Sequence, residues 1–279
     1  MSKLKKALEK AKEAREADGP ARILESDRLT AVTEKQIEAA DDSCLELDVC
    51  YSQTKVQSID HSVLKKGKIF SLFHDFEITD QIKSIRTQVL DKLKESGGNS
   101  LMVTSANPYE GKTFTSINLG VSIAHELDKT VLLVDADLRK PTKAHKNFSS
   151  DFFRTDLKKG LSDYLLNGTQ IPELLVNPGI DRLVLLPAGK SIPNSAEYLG
   201  SPRMERLVKE MKSRYADDRI LIFDTSSLLT STDPLVVSRF VDGILLVIEE
   251  HKTTTDQLKK AMDLLKGKKI LGSIINKVK

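Results

Sequence analysis

Leu101-Met102-Val103-Thr104-Ser105-Ala106-Asn107-Pro108-Tyr109-Glu110-Gly111-Lys112-Thr113 decides how this 279-residue chain is read. Leu101 to Thr104 form a short apolar run of strand type, the next seven residues are rich in turn formers, and Phe114 to Leu127 carry a helical pattern. A Gly-Lys-Thr that leaves a strand and opens a helix is suited to phosphate. Gly111 lets the backbone bend close to an anion, and the successive amides and the helix N-terminus supply positive potential. Lys112 can neutralise β/γ oxygens, and the Thr113 hydroxyl can ligate Mg²⁺. Ala106 stands where the first glycine of the full pattern usually sits.

Working outward, short apolar runs alternate with helical stretches, the signature of βα units and a parallel sheet. The predicted strands are 101–104, 131–135, 183–186, 220–224, 244–248 and 270–274. Several are apolar on both faces, as a sheet covered by helices on each side requires. The fold class is therefore α/β, a mostly parallel sheet of the P-loop NTPase type, with a helical and flexible N-terminal extension. The second strand ends Val134-Asp135-Ala136-Asp137, whose period of two puts both carboxylates on one side. Two like charges about 4 Å apart cost roughly 4 kcal/mol at an effective dielectric near 20, so such a cluster favours a cation. Asp224 closes the run Arg219-Ile220-Leu221-Ile222-Phe223 in the manner of a metal-holding carboxylate. In an open parallel sheet these strand ends share the edge where ligands bind.

The rest of the composition mostly excludes. Lys and Arg total 43 against 40 Asp and Glu, a net charge of +3, which gives no reason to expect nucleic-acid binding. Cys44 and Cys50 match neither a zinc site nor a redox pair, and with no apolar stretch long enough to span a membrane the expectation is a cytoplasmic protein. Residues 2–17 are rich in helix formers and are stopped by Asp18-Gly19-Pro20. Residues 21–68 lack periodicity and read as a loosely structured arm. From Glu77 to Lys94 the residues Ile78, Ile82, Ile85, Val89 and Leu93 share a helical face, closed by Ser96-Gly97-Gly98-Asn99. The division expected is an arm over 1–76 and an ATP-binding domain over 77–279.

Five segments go beyond a generic phosphate site: Ala106 to Phe114; Leu132 to Pro141; Gly160-Leu161-Ser162-Asp163-Tyr164-Leu165; Leu186-Pro187-Ala188-Gly189; and Ile192 to Leu199. Together they resemble the bacterial tyrosine autokinases of capsule and exopolysaccharide export, a MinD/ParA-like group, over residues 77–279. The opening Met1-Ser2-Lys3-Leu4-Lys5-Lys6-Ala7-Leu8-Glu9-Lys10-Ala11 is similar to the subgroup encoded with exosortase-linked polysaccharide loci. The resemblance implies ATP and Mg²⁺ as cofactors and transfer of a phosphoryl group to tyrosine. It implies that Asn107, Glu110, Gly111, Lys112, Thr113 and Phe114 hold the nucleotide and that Asn276 reads the base. Thr113, Asp137 and Asp224 would organise the metal, and Asp135 would take the proton from the attacking tyrosine. Arg139 would either stabilise transferred charge or pair with a carboxylate. Asp80, Lys83 and Arg86 occupy the spacing of a subunit-contact motif, which implies a homo-oligomer. The partner implied is the cytoplasmic segment of an inner-membrane polysaccharide co-polymerase, which would recruit the chain to the membrane.

The chain departs from that pattern in places. Its tyrosines, Tyr51, Tyr109, Tyr164, Tyr198 and Tyr215, are scattered instead of clustered in a tail, and Tyr51 is the acceptor expected to be most accessible. Thr225-Ser226-Ser227 stands where Thr-Pro-Pro is common. Two other readings share the fold: a MinD/ParA-like switch ATPase, and a nucleotide-binding scaffold without phosphotransfer. Asn107 argues against the first, because such ATPases carry a lysine there that reaches across a dimer.

Overall fold

The computed structural model describes residues 55–57, 59–73, 77–139, 152–153, 157–213 and 218–278, all within one unit spanning 46–279. The helix expected over 2–17, Cys44, Cys50, Tyr51 and Tyr215 lie outside the described residues. One sheet contains β1 (Lys55–Val56), β2 (Ser100–Ser105), β3 (Thr130–Asp135), β4 (Val176–Asn177), β5 (Leu183–Leu186), β6 (Arg219–Asp224), β7 (Gly243–Glu249) and β8 (Ile270–Asn276). Their order is β1-β4-β5-β3-β6-β2-β7-β8. All six expected strands are present within two residues of their expected ends, and they pair in parallel. β1 and β4 were not expected: at two residues each they carry no periodicity, and β4 runs antiparallel to β5.

The helices among the described residues are α1 (His61–Lys66), α2 (Glu77–Glu95), α3 (Lys112–Ala124), α4 (Leu161–Asn167), α5 (Ser195–Leu199), α6 (Pro202–Ser213), α7 (Asp233–Val237) and α8 (Thr255–Leu264). They cover both faces of the sheet, so every residue of β2 and β3 is buried. Alternate strand residues divide between two cores. Leu101, Val103, Leu133 and Ile222 pack with Val89 and Leu93 of α2 and Ile117 and Val121 of α3. Met102, Leu132, Val134 and Phe223 pack with Met204, Leu207 and Met211 of α6. Along α2, Ile82, Val89 and Leu93 are buried as their spacing predicts, and Ile78 lines a cleft described below. No described helix is long and apolar enough to cross a membrane.

The loosely structured arm expected over 21–68 is corrected at its downstream end. Asp60 caps α1 by accepting from the Ser62 amide at 2.7 Å, and Leu64 and Ile69 are buried in the core beside α3. The next turn, Phe70–Leu72, is held by Asn118 of α3, which accepts from the Ser71 amide at 3.1 Å and donates to the Lys68 carbonyl at 3.0 Å. The apolar residues here, Val63, Leu64, Ile69, Phe70, Leu72 and Phe73, follow neither a helical nor a strand period across Gly67; long-range packing orders this segment.

One carboxylate fixes the entry to β2. Asp242, just before β7, accepts from the Asn99 amide (3.0 Å), the Ser100 amide (3.1 Å) and the Ser100 hydroxyl (2.6 Å), and pairs with Lys212 of α6 at 2.6 Å. Gly98 is required beside it, because a Cβ there would lie 2.3 Å from the Asp242 Cβ. Desolvation pushes the Asp242 carboxyl up, but the bonds from Lys212 and Ser100, the Lys212 charge and the Asn99 amide outweigh it and hold its pKa below the usual value. Asp242→Ala is expected to cost about 2 kcal/mol in urea unfolding at neutral pH, since Lys212 and two amides lose their acceptor. A depressed pKa means the stabilisation is present above the unfolded-state value of about 3.9 and is lost as pH falls through the lower folded value. The gap between variant and parent should therefore close in acid.

Candidate nucleotide site

The phosphate loop runs from Ala106 to Gly111 between β2 and α3. Gly111 caps α3 with φ 101°, a left-handed conformation, and a Cβ on it would lie 1.9 Å from Nδ2 of Asn276. Glycine alone meets both demands. Residues at the end of β8 pin the loop: Asn276 Nδ2 donates to the Glu110 carbonyl at 2.9 Å, and Lys277 Nζ donates to the Tyr109 carbonyl at 2.8 Å. Lys277 also pairs with Glu249 at 3.0 Å. Past β6, the Leu228 amide donates to the Ser105 carbonyl at 2.9 Å and the Leu229 amide to the Ala106 carbonyl at 3.1 Å. The Thr225-Ser226-Ser227 segment thus leads into a stretch that runs alongside the phosphate loop.

Asn107 and Glu110 act differently from the expected direct cofactor contacts. The Glu110 side chain is fully buried, and its carboxylate accepts from the Asn107 amide and Asn107 Nδ2, both at 2.9 Å, and from the Thr253 hydroxyl. Asn107 Nδ2 also donates to Gln257 of α8 at 3.2 Å. These two side chains brace the loop against the β7–α8 connection.

Around the first turn of α3 the expected charges converge. Lys112 is buried, with Nζ 3.9 Å from Oδ2 of Asp137. Asp224 accepts at 3.1 Å from Ser116, and the Thr113 hydroxyl also bonds to it. Asp135 and Asp224 are register partners across β3 and β6, and the Asp137 amide donates to Asp135 at 3.2 Å. Burial raises the Asp135 pKa well above the usual carboxylate range, reinforced by the charges of Asp224 and Asp137. Burial also raises Asp224, to about 6, with Asp137 adding to the rise while Lys112, Thr113 and Ser116 oppose it. Three desolvated carboxylates facing one lysine lack positive charge, so the donor set suits a divalent cation. Among the described residues no three His, Cys, Asp or Glu side chains form a closed cage. Mg²⁺ needs none, because it binds through one or two carboxylates together with substrate phosphates and water.

Ser116 was not anticipated. The available signal was its position one turn after Lys112, on the same helical face. The cleft beside the loop, about 360 Å³, was also unforeseen in part: besides Gly111, Lys112, Thr113, Phe114 and Asn276 it is lined by Phe70, Ile78 and Phe152. Arg139 donates to the Thr230 carbonyl at 2.5 Å, and its charge opposes the rise that burial imposes on the Asp233 pKa. Arg86 is drawn inward, pairing with Glu126 at 2.7 Å and donating to the Ser122 carbonyl at 3.1 Å, while Asp80 and Lys83 pair with each other at 3.2 Å on the exposed face. The guanidinium expected at a subunit contact is thus engaged within the chain.

Comparison with known proteins agrees with this geometry. The CobQ/CobB/MinD/ParA nucleotide binding domain family matches residues 101–279. The tyrosine-protein kinase YwqD of Bacillus subtilis is 36% identical over 200 residues, covering 71% of this chain and 80% of its own. The tyrosine-protein kinase CpsD of Streptococcus agalactiae is 30% identical over 201 residues, covering 71% of this chain and 82% of its own. The solved kinase domain of the Escherichia coli tyrosine kinase ETK superposes with a TM-score of 0.67 at 25% identity, covering 83% of this chain and 92% of that one.

Two substitutions test the site. Gly111→Ala forces a side chain into a left-handed residue and against Asn276, and should weaken Mg·ATP binding at least about tenfold by calorimetry. Asp224→Asn removes a charge the fold holds at a cost. A raised pKa means that cost is present above about 6 and fades as pH falls toward the unfolded value. Without ligand, the variant should melt a few degrees higher than the parent at pH 8, and the advantage should shrink below pH 6.

Proposed function

The chain belongs to the bacterial tyrosine-protein kinases, built on the CobQ/CobB/MinD/ParA nucleotide-binding domain, and we propose on that footing that it transfers the γ-phosphoryl group of ATP to a tyrosine hydroxyl. The observation that carries the reading is the convergence of Lys112, Thr113, Asp135, Asp137 and Asp224, drawn from two strand ends and one helix, around a loop shaped by Gly111.

Each residue has a role that follows from its surroundings. The loop amides and the N-terminus of α3 bind the phosphate oxygens, and the buried Lys112 ammonium compensates the charge that develops there during transfer. Thr113, Asp137 and Asp224 would hold Mg²⁺, which when bound supplies further positive charge at the phosphates. Asp135, whose proton affinity is raised by burial and by two neighbouring carboxylates, is the base. The tyrosine oxygen attacks phosphorus in line as its proton passes to Asp135, and the bond from phosphorus to the bridging oxygen breaks to leave ADP. With Nδ2 engaged by a carbonyl, Asn276 offers Oδ1 as an acceptor, which matches the amino group of adenine better than the oxo group of guanine. The reading extends to regulation of exopolysaccharide polymerisation and export, with a membrane co-polymerase segment as partner. Asn107 turns its carboxamide inward to Glu110 and Gln257, which favours this reading over a switch ATPase that presents this position to a dimer partner.

The test is incubation of the purified chain with labelled ATP and Mg²⁺, alone and with the cytoplasmic segment of a co-polymerase, followed by phosphotyrosine mapping. Lys112→Met should lower labelling on the order of a hundredfold, and chelation of the metal should abolish it. Released phosphate without phosphotyrosine would point to the ATPase, and bound nucleotide with neither product to a scaffold.

A further inference from the structure

The last part of α8 and the turn into β8 read Lys259-Lys260-Ala261-Met262-Asp263-Leu264-Leu265-Lys266-Gly267-Lys268-Lys269. Five lysines stand there against one aspartate, an excess greater than the net charge of +3 on the whole chain. Ala261 and Leu265 are buried and anchor the helix, while all five lysines are exposed. Among the described residues none of the five forms an ion pair. One or two cations would answer the negative end of the α8 dipole, and five exceed that need. Met262 and Leu264, 43% and 44% exposed, stand among them. Lys259 precedes Met262 by three positions and Lys260 precedes Leu264 by four, so each apolar side chain has a lysine beside it on the helix surface. The turn itself is open: Gly267 has φ 78°, and a Cβ there would meet nothing within 4 Å.

We propose that residues 259–269 dock on an anionic lipid surface, with the five lysines on headgroup phosphates and Met262 and Leu264 entering the boundary beneath them. Each lysine held near such a surface adds to the attraction, and clusters of about four to eight are the size that recognises anionic headgroups. The apolar pair decides the kind of partner. Side chains such as Met262 and Leu264 gain by leaving water for the acyl boundary, whereas the backbone of a nucleic acid offers them nothing. The surface is separate from the nucleotide chemistry. β8 starts at Ile270, beside the lysines, and its far end, Asn276, meets the phosphate loop, roughly 20 Å away for a strand of this length. A chain seated on lipid through this end keeps its nucleotide cleft open.

Co-sedimentation of the full chain with vesicles tests the docking. The chain should partition onto vesicles in which about a third of the lipid is phosphatidylglycerol and not onto vesicles of phosphatidylcholine alone, and raising the salt to about 0.5 M should weaken the partition at least about tenfold. Reversing two charges with Lys266→Glu and Lys268→Glu together should lower it at least about tenfold at low salt. Leu264→Ser keeps every charge and should lower it about threefold. Both variants should keep the parent's melting temperature and Mg·ATP affinity, which rules out a folding defect. Equal partition onto neutral vesicles, no loss in either variant, or tighter binding to duplex DNA than to the anionic vesicles would overturn the inference and leave the nucleotide reading untouched.

Discussion

Asp135, Asp137 and Asp224 are held out of water with Lys112 at the carboxyl ends of adjacent parallel strands, and their mutual repulsion is tolerated because the surrounding sheet leaves them nowhere else to go. β3 and β6 put Asp135 and Asp224 side by side by register, and the helices on both faces close off solvent. Burial raises the pKa of Asp135 and of Asp224, so holding these carboxylates charged costs stability locally. Preorganised charge of this kind gains most in a water-excluded site, where little reorganisation is needed at the moment of reaction. The two hydrophobic cores supply the rigidity that makes such an arrangement possible.

Neutral and charged braces hold the phosphate loop from behind. Glu110 ties it to the β7–α8 connection through Thr253, and Asn107 ties it to α8 through Gln257. Asn276 and Lys277 hold the carbonyls of Glu110 and Tyr109. The amides of such a loop can face a ligand only if its carbonyls and side chains are engaged elsewhere, and these four residues provide that engagement.

Much of this was legible in the sequence. The six longer strands, α2 and the convergence of Lys112, Thr113, Asp135, Asp137 and Asp224 follow from apolar runs, a 3.6-residue period and the position of acids at strand ends. What was not legible depends on tertiary contacts. Leu64 and Ile69 stand five apart around Gly67 and fit neither a helical nor a strand period, and packing beside α3 makes them core. Glu110 looks like a ligand in one dimension because nothing local shows that Thr253 waits to receive its carboxylate. Arg86 sits at the spacing of a surface contact, but Glu126, forty residues on, turns it inward. Two-residue strands such as β1 and β4 carry no pattern at all.

The bond from Asn276 to the Glu110 carbonyl spans 166 positions of chain. During synthesis the Gly-Lys-Thr turn leaves the ribosome long before the residues that set its curvature, so an emerging chain can assemble β2 and α3 yet still hold its anion cradle slack. The restraint on this turn therefore comes with β8, the last strand of the sheet, and not in step with the growth of the strands before it.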